Sequence, residues 1–230
     1  LKGLEGFKNH NPDSFHILYG GEPLLRKDLP EIVQFCNINS INYTIITNNS
    51  DDVQPMIENL LTKVNHVVGL KYSVDPIIFD KTASGDRLEK SIAGLKKLID
   101  FKGIIKDLVA EITVDNETLP FLFPLVEKLT ELGINSDITF IDIAKSKYYD
   151  FSNVTDKNLL VKKSPEVREQ LEKIIDAGLN VHMAETLLPK IYTDLPSDMD
   201  CEIEKNIHNL TVDADGSIRL CLRIRGVDTP

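Results

Sequence analysis

The sequence has 230 residues, enough for one main domain and a small appendage but not for two full-size domains. Its 26 basic and 36 acidic side chains give a formal net charge of -10, which repels nucleic-acid backbones and anionic membranes. There is no run of about 20 apolar residues and no charged-then-apolar leader, and three cysteines are too few for a disulfide framework. We therefore expect a protein of the cytoplasm that binds neither nucleic acid nor membrane.

Apolar runs rich in β-branched residues alternate along the chain with amphipathic stretches of helical period. This alternation is typical of βαβ units that build a parallel sheet, so the pattern predicts an α/β fold. Gly133 and Gly178 stand where helix C-caps are expected. The predicted strands are 15–19, 43–47, 66–73, 107–114 and 137–143, and the predicted helices are 29–35, 52–62, 87–101, 119–132 and 165–177.

The last third of the chain has a different character. Helical and strand periodicity fails over 145–163, which predicts a loop that could shape a substrate pocket. Beyond a boundary near Leu195, an alternating run, an Asp-Gly turn and a second run over 207–222 predict a β-hairpin. Because the chain starts at Leu1 and stops abruptly at Pro230, both ends are interpreted as cuts.

The most specific local signal is the segment Gly20-Gly21-Glu22-Pro23, directly after a predicted strand and before a predicted helix. Two glycines let the backbone approach a ligand closely, and a carboxylate at the carboxyl end of a parallel strand faces the usual ligand side of such a sheet. A ligand with an amino group would suit Glu22. The alternative is a tight strand-to-helix turn with a solvated glutamate.

This GGEP segment resembles the motif with which radical S-adenosylmethionine (SAM) enzymes bind the amino group of SAM. The resemblance implies a partial (β/α)6 barrel of the TIM type, and it assigns the methionine amino group of SAM to Glu22. It spans the chain from about Phe15 to the last residue.

Further polar residues match the same family at successive strand ends. The resemblance implies that Thr47 and Asn48 line the cofactor site, that Ser73 in the Ser73–Asp75 segment reaches the SAM ribose, and that Asn116 also faces the cofactor. Each has a plainer alternative. Thr47 and Asn48 could form an Asn-rich turn, Ser73 could cap its strand, and Asn116 could be the N-cap of the helix that starts at Leu119.

Cys201 and Cys221 flank the predicted hairpin, with fourteen residues between Cys201 and Gly216 and four between Gly216 and Cys221. The hairpin could bring both thiols to one iron–sulfur cluster. The spacing resembles the opening of the SPASM and twitch extensions, which hold auxiliary [4Fe–4S] clusters. The alternative is two unrelated buried thiols, and Cys36, inside an amphipathic helix, is interpreted as a core residue.

The family's CX3CX2C triplet, which holds the SAM-binding [4Fe–4S] cluster, is absent from the sequence. We therefore interpret 1–195 as a partial radical SAM core without its first strand and cluster loop, and 196–230 as the start of an auxiliary-cluster domain. The resemblance implies reductive cleavage of SAM to a 5′-deoxyadenosyl radical that acts on a peptide, protein or small molecule. It also implies an electron donor such as flavodoxin or ferredoxin. The chain alone is expected to be inactive.

Two other functions remain open on the residues alone. The chain could be an ordinary (β/α) barrel enzyme that uses Lys71 and Glu111, or a degenerate barrel that binds a protein partner through 145–163. A metal site built from histidines is the least attractive option, because the five histidines show no paired spacing. Iron content separates both functions from the radical SAM interpretation.

Overall fold

Six strands form one parallel sheet, in the order in which they occur along the chain. The structure, a computed structural model, describes residues 2–10, 13–19, 21–47, 53–74, 85–116, 118–140, 165–179, 181–183, 211–212 and 218–219. The strands are β1 (Phe15–Leu18), β2 (Asn42–Thr47), β3 (Val67–Ser73), β4 (Ile105–Val114), β5 (Asn135–Phe140) and β6 (Val181–Met183). The predicted α/β fold with a parallel sheet is confirmed.

Among the described residues, one α-helix lies between each pair of neighbouring strands, and a further helix precedes β1. The helices are α1 (Lys2–His10), α2 (Leu29–Ile38), α3 (Val53–Lys63), α4 (Gly85–Ile99), α5 (Leu122–Glu131) and α6 (Pro165–Asp176). Parallel crossovers are right-handed, so a sheet whose strands follow chain order has all its connecting helices on one face. That arrangement is the pattern of a barrel, with helices outside and the other face of the sheet inside.

The outer face of the sheet packs against the helices through buried apolar side chains. Leu70 and Tyr72 of β3 and Ile112 of β4 are buried there, in one continuous cluster with the apolar stripes of the helices. A stripe such as Val167, Leu171 and Ile174 of α6 has helical spacing, and burying it drives the helix onto the sheet.

The inner face carries the alternate residues of each strand. One row across it, in register, is Ile17, Thr44, Gly69 and Asp107, and a second row nearer the carboxyl ends is Ser73, Glu111, Asp137 and His182. The residue at position 69 of the first row is glycine because there is no room for a side chain. A Cβ at this position would lie 2.7 Å from Thr44 Oγ1 on the neighbouring strand.

The structure departs from the predicted elements in two places. Strand β6 was not predicted, because a three-residue strand is too short to show a period of two. The predicted helix 119–132 is divided into a 3₁₀ turn, Leu119–Phe121, and α5. Pro120 and Pro124 each lie in the first turn of one of these two segments, where a missing backbone N–H costs no hydrogen bond.

Other expectations can be compared directly with the described residues. Gly133 and Gly178 have φ values of +69° and +61°, as the predicted C-caps require. Cys36 is completely buried, as expected of a core residue. The antiparallel pairing of the predicted hairpin is confirmed for β7 (Thr211–Val212) and β8 (Ile218–Arg219), whereas its Asp-Gly turn, 145–163 and Leu195 lie outside the described residues. None of the helices described is long and apolar enough to cross a membrane.

Candidate functional site

Glu22 lies just past the carboxyl end of β1, where the chain turns sharply into a 3₁₀ helix. Gly21 has a φ of +58°, a left-handed conformation that favours glycine, and Glu22 then has an extended backbone as the N-cap of Pro23–Leu25. Its carboxylate oxygen Oε1 accepts a hydrogen bond of 3.0 Å from the backbone N–H of Leu24. The GGEP segment therefore builds a turn that fixes its own carboxylate, although Gly20 lies outside the described residues.

A second strand end holds the same carboxylate. Thr47 is the last residue of β2 and is only 1% exposed, and its hydroxyl donates a hydrogen bond of 2.9 Å to Glu22 Oε1. A buried hydroxyl is expensive to leave without a partner, so this contact ties the carboxyl ends of β1 and β2 together. Glu22 itself is half-buried. The structure thus brings together two of the residues that the sequence placed at the cofactor site.

The remaining predicted residues are distributed along the same edge of the sheet. Ser73 ends β3 and Asn116 follows β4, and both are half-buried. Next to Asn116, the Asp115 carboxylate accepts a 2.8 Å hydrogen bond from the N–H of Thr118, the residue before the 3₁₀ turn Leu119–Phe121. The predicted site residues Asn48, Asp75, Cys201 and Cys221 lie outside the described residues.

The inner face holds a charged pair that sequence reasoning found only in part. The ammonium of Lys71 on β3 forms an ion pair with the carboxylate of Asp137 on β5, across the intervening strand β4. The two side chains are 25% and 21% exposed, so the pair is sheltered but still accessible. Lys71 and Glu111 were singled out for an ordinary barrel enzyme, whereas Asp137 was missed because it lies 66 residues beyond Lys71.

The described residues contain no group of three or more His, Cys, Asp or Glu side chains that could hold a metal ion. Their one cysteine, Cys36, is buried in the core, where burial raises the pKa of its thiol and opposes formation of the metal-binding thiolate. The arrangement at the strand ends is instead suited to an organic ligand. A fixed carboxylate beside a buried hydroxyl can accept hydrogen bonds from an ammonium group.

Comparison with solved structures identifies the fold. Two structures of Streptococcus suis SuiB superpose on the chain, one of them bound to S-adenosylmethionine. Their TM-scores are 0.61 and 0.67 at 16% and 14% identity, over 94% and 100% of this chain and 50% and 55% of theirs. The fold is the α/β partial barrel of these two structures. At this identity the likeness establishes the architecture of the partial barrel and nothing finer.

Two groups of curated proteins are similar in sequence. A PqqA peptide cyclase of Xanthomonas oryzae pv. oryzae is 28% identical over 159 residues, which cover 69% of this chain and 40% of that protein. A probable GTP 3′,8-cyclase of Methanocaldococcus jannaschii is 25% identical over 213 residues, which cover 88% of this chain and 66% of that protein. No family model matches the chain.

Proposed function

We propose that this chain is the core of a radical SAM enzyme and that it binds SAM at the carboxyl edge of its sheet, with Glu22 as the acceptor for the SAM ammonium. The observation that carries the proposal is the convergence of Thr47 and the Leu24 N–H on the Glu22 carboxylate. A carboxylate fixed before the ligand arrives loses little conformational entropy on binding. The similarity to PqqA peptide cyclase and GTP 3′,8-cyclase, both radical SAM enzymes, supports the same function.

The residues at the strand ends suit the chemical groups of SAM. Glu22 offers a negative charge to the ammonium, and Ser73 offers a hydroxyl to the ribose from two strands away. Asn48, Asp75 and Asn116 are proposed to complete the site, each from the chain that directly follows a described strand. Ligands bind at this edge of parallel α/β sheets because the loops that follow the strands meet there.

We propose that three cysteines in a loop after a further strand of the whole protein hold the catalytic [4Fe–4S] cluster. The chain spans 40% of the first curated relatives that it matches, and β1 is an edge strand of the described sheet, paired with β2 on one side. An edge of this kind can accept another strand. When bound, the cluster supplies the electron that splits SAM into methionine and a 5′-deoxyadenosyl radical. This chain binds and orients the SAM.

An auxiliary [4Fe–4S] cluster is proposed at Cys201 and Cys221. Both cysteines lie outside the described residues, but the hairpin between them does form, with Thr211 opposite Arg219. On this proposal 1–195 is the partial core and 196–230 begins a SPASM or twitch-like domain. The proposed partners are a peptide, protein or small-molecule substrate in the cytoplasm and an electron donor such as flavodoxin or ferredoxin.

The test uses the whole protein, purified without oxygen and reconstituted with iron and sulfide. The proposal expects a broad absorbance near 400 nm, about eight irons per chain as two [4Fe–4S] clusters require, and 5′-deoxyadenosine on reduction with SAM. About four irons would remove the auxiliary cluster and leave Cys201 and Cys221 as structural thiols. A protein without iron would contradict the proposed function and favour the ordinary or the degenerate barrel.

A further inference from the structure

The inner face of the described sheet is polar where a barrel interior is usually filled with bulky branched side chains. Lys71, Glu111 and Asp137 face inward there, and the side chains of the Lys71–Asp137 pair are partly exposed among the described residues. On β1, at the other side of the same face, Phe15 and Ile17 are 59% and 57% exposed. A face with exposed apolar side chains at one side and an ion pair at the other is suited to a ligand that has both apolar groups and polar, hydrogen-bonding groups.

The side chain of Lys71 leans toward the edge at which SAM is proposed to bind. Lys71 lies two residues before Ser73, the last residue of β3, and the row that contains Ser73 continues through Glu111 to Asp137. Asp137 is therefore about 7 Å nearer the carboxyl edge than the Lys71 backbone, at about 3.3 Å per residue. To reach Asp137, the lysine must extend over β4 toward that edge. The Lys71 ammonium therefore lies on the inner face of the sheet, close to the carboxyl edge at which SAM is proposed to bind.

The charges that the structure describes on this face are unfavourable for a polyanionic substrate. Among the inward-facing strand residues that the structure describes, Lys71 is the only lysine or arginine, whereas Asp107, Glu111 and Asp137 are acidic. The single cation already has a carboxylate partner, and the whole chain carries a formal charge of -10. A nucleoside triphosphate needs several cations to offset its phosphates, so it would be repelled here.

A peptide group has the opposite requirements, because it is neutral and offers one hydrogen-bond acceptor beside one donor. The Lys71 ammonium has three N–H donors, of which the ion pair uses one, and an ionised carboxylate has about four acceptor positions. The pair can therefore bind a carbonyl through the lysine and an N–H through the aspartate. Phe15 and Ile17 would contact apolar side chains of the same ligand.

We propose that Lys71 and Asp137 position the substrate of the enzyme by binding a peptide group, so that the substrate is a peptide or protein segment and not a nucleotide. The inference rests on the proposed function, since it places the substrate beneath SAM. It separates the two kinds of relative, a peptide cyclase and a GTP cyclase, by the charge of the inner face.

The test is equilibrium dialysis of the whole protein with SAM, with a pool of random 12-residue peptides quantified by mass spectrometry, and separately with GTP. Wild-type protein is expected to retain peptides and no GTP. Lys71→Met and Asp137→Asn are each expected to reduce peptide retention about tenfold, as the loss of a hydrogen bond to a charged group predicts. Lys106→Met is the matched control, because Lys106 is an exposed lysine on the neighbouring strand β4 whose side chain does not face inward.

Each single variant leaves one unpaired charge in a half-buried position. The double variant Lys71→Met/Asp137→Asn, which removes both charges, is therefore measured as well, and circular dichroism checks that every variant is folded. Retention of GTP, absence of peptide retention by wild-type protein, or unchanged retention by the double variant would overturn the inference. The amount of SAM that the protein retains is measured in the same dialysis chambers. If SAM binds and peptides do not, this inference fails alone, whereas if SAM does not bind, the proposed function fails.

Discussion

Replacing Glu22 by glutamine isolates the charge that the proposed SAM site depends on. Glutamine has the same length and keeps an acceptor oxygen for Thr47 and for the Leu24 N–H, so the turn after β1 is preserved. A hydrogen bond to a charged group stabilises by about 1.5–3 kcal/mol, against about 1 kcal/mol for a neutral one. The difference of about 0.5–2 kcal/mol predicts SAM binding that is about two- to thirtyfold weaker.

The assay is isothermal titration of the reconstituted whole protein with SAM and, separately, with adenosine, which has no amino acid part. Glu22→Gln is expected to weaken SAM binding and to leave adenosine binding unchanged. Glu31→Gln, an exposed glutamate in the first turn of α2, is the matched control. Wild-type affinity for SAM in Glu22→Gln would refute the assignment, and so would an equal loss of affinity for adenosine.

Three further substitutions test the site and the packing that supports it. Thr47→Val keeps the shape but removes the hydroxyl that donates to Glu22, so SAM affinity should fall a few-fold and stability by about 1 kcal/mol; unchanged titration and urea unfolding would contradict this. In Gly94→Ala the new Cβ would lie 2.6 Å from Tyr72 Oη, and the expected loss of about 1–3 kcal/mol should shrink in a Tyr72→Phe background. Burial raises the pKa of Tyr43 from 10.0 to about 12, so the free energy of unfolding should be highest below pH 10 and should fall as pH rises toward 12, because the unfolded chain then loses the phenol proton more readily. In Tyr43→Phe, the free energy of unfolding measured in urea should change less over this pH range.

The fold was predictable because its signals are local. Runs such as Tyr43–Ile46 are rich in apolar and β-branched residues, and glycines such as Gly133 end helices within a few residues of the pattern that predicts them. Strand β6 escaped prediction because three residues carry too little periodicity. The division of the predicted helix 119–132 follows from two prolines four residues apart.

Only those site residues that lie at the carboxyl ends of parallel strands could be predicted from the sequence. Because parallel strands bring their carboxyl ends to one edge, Glu22 and Thr47 could be placed together, although 25 residues separate them. No local pattern connects Lys71 with Asp137, since their contact depends on the register of three strands and on how far a lysine extends across the middle one. The contact of the Asp115 carboxylate with the Thr118 N–H was also not predicted, because the sequence pattern pointed only to Asn116 as a possible cap.

The products formed from SAM show whether the protein cleaves SAM reductively. Reduced, reconstituted whole protein is incubated with SAM, and 5′-deoxyadenosine and methionine are quantified with and without the reductant. Equal amounts of both are expected, formed only with the reductant, because one electron breaks one bond of SAM. S-adenosylhomocysteine as the product, or no turnover by protein that carries its clusters, would contradict reductive cleavage.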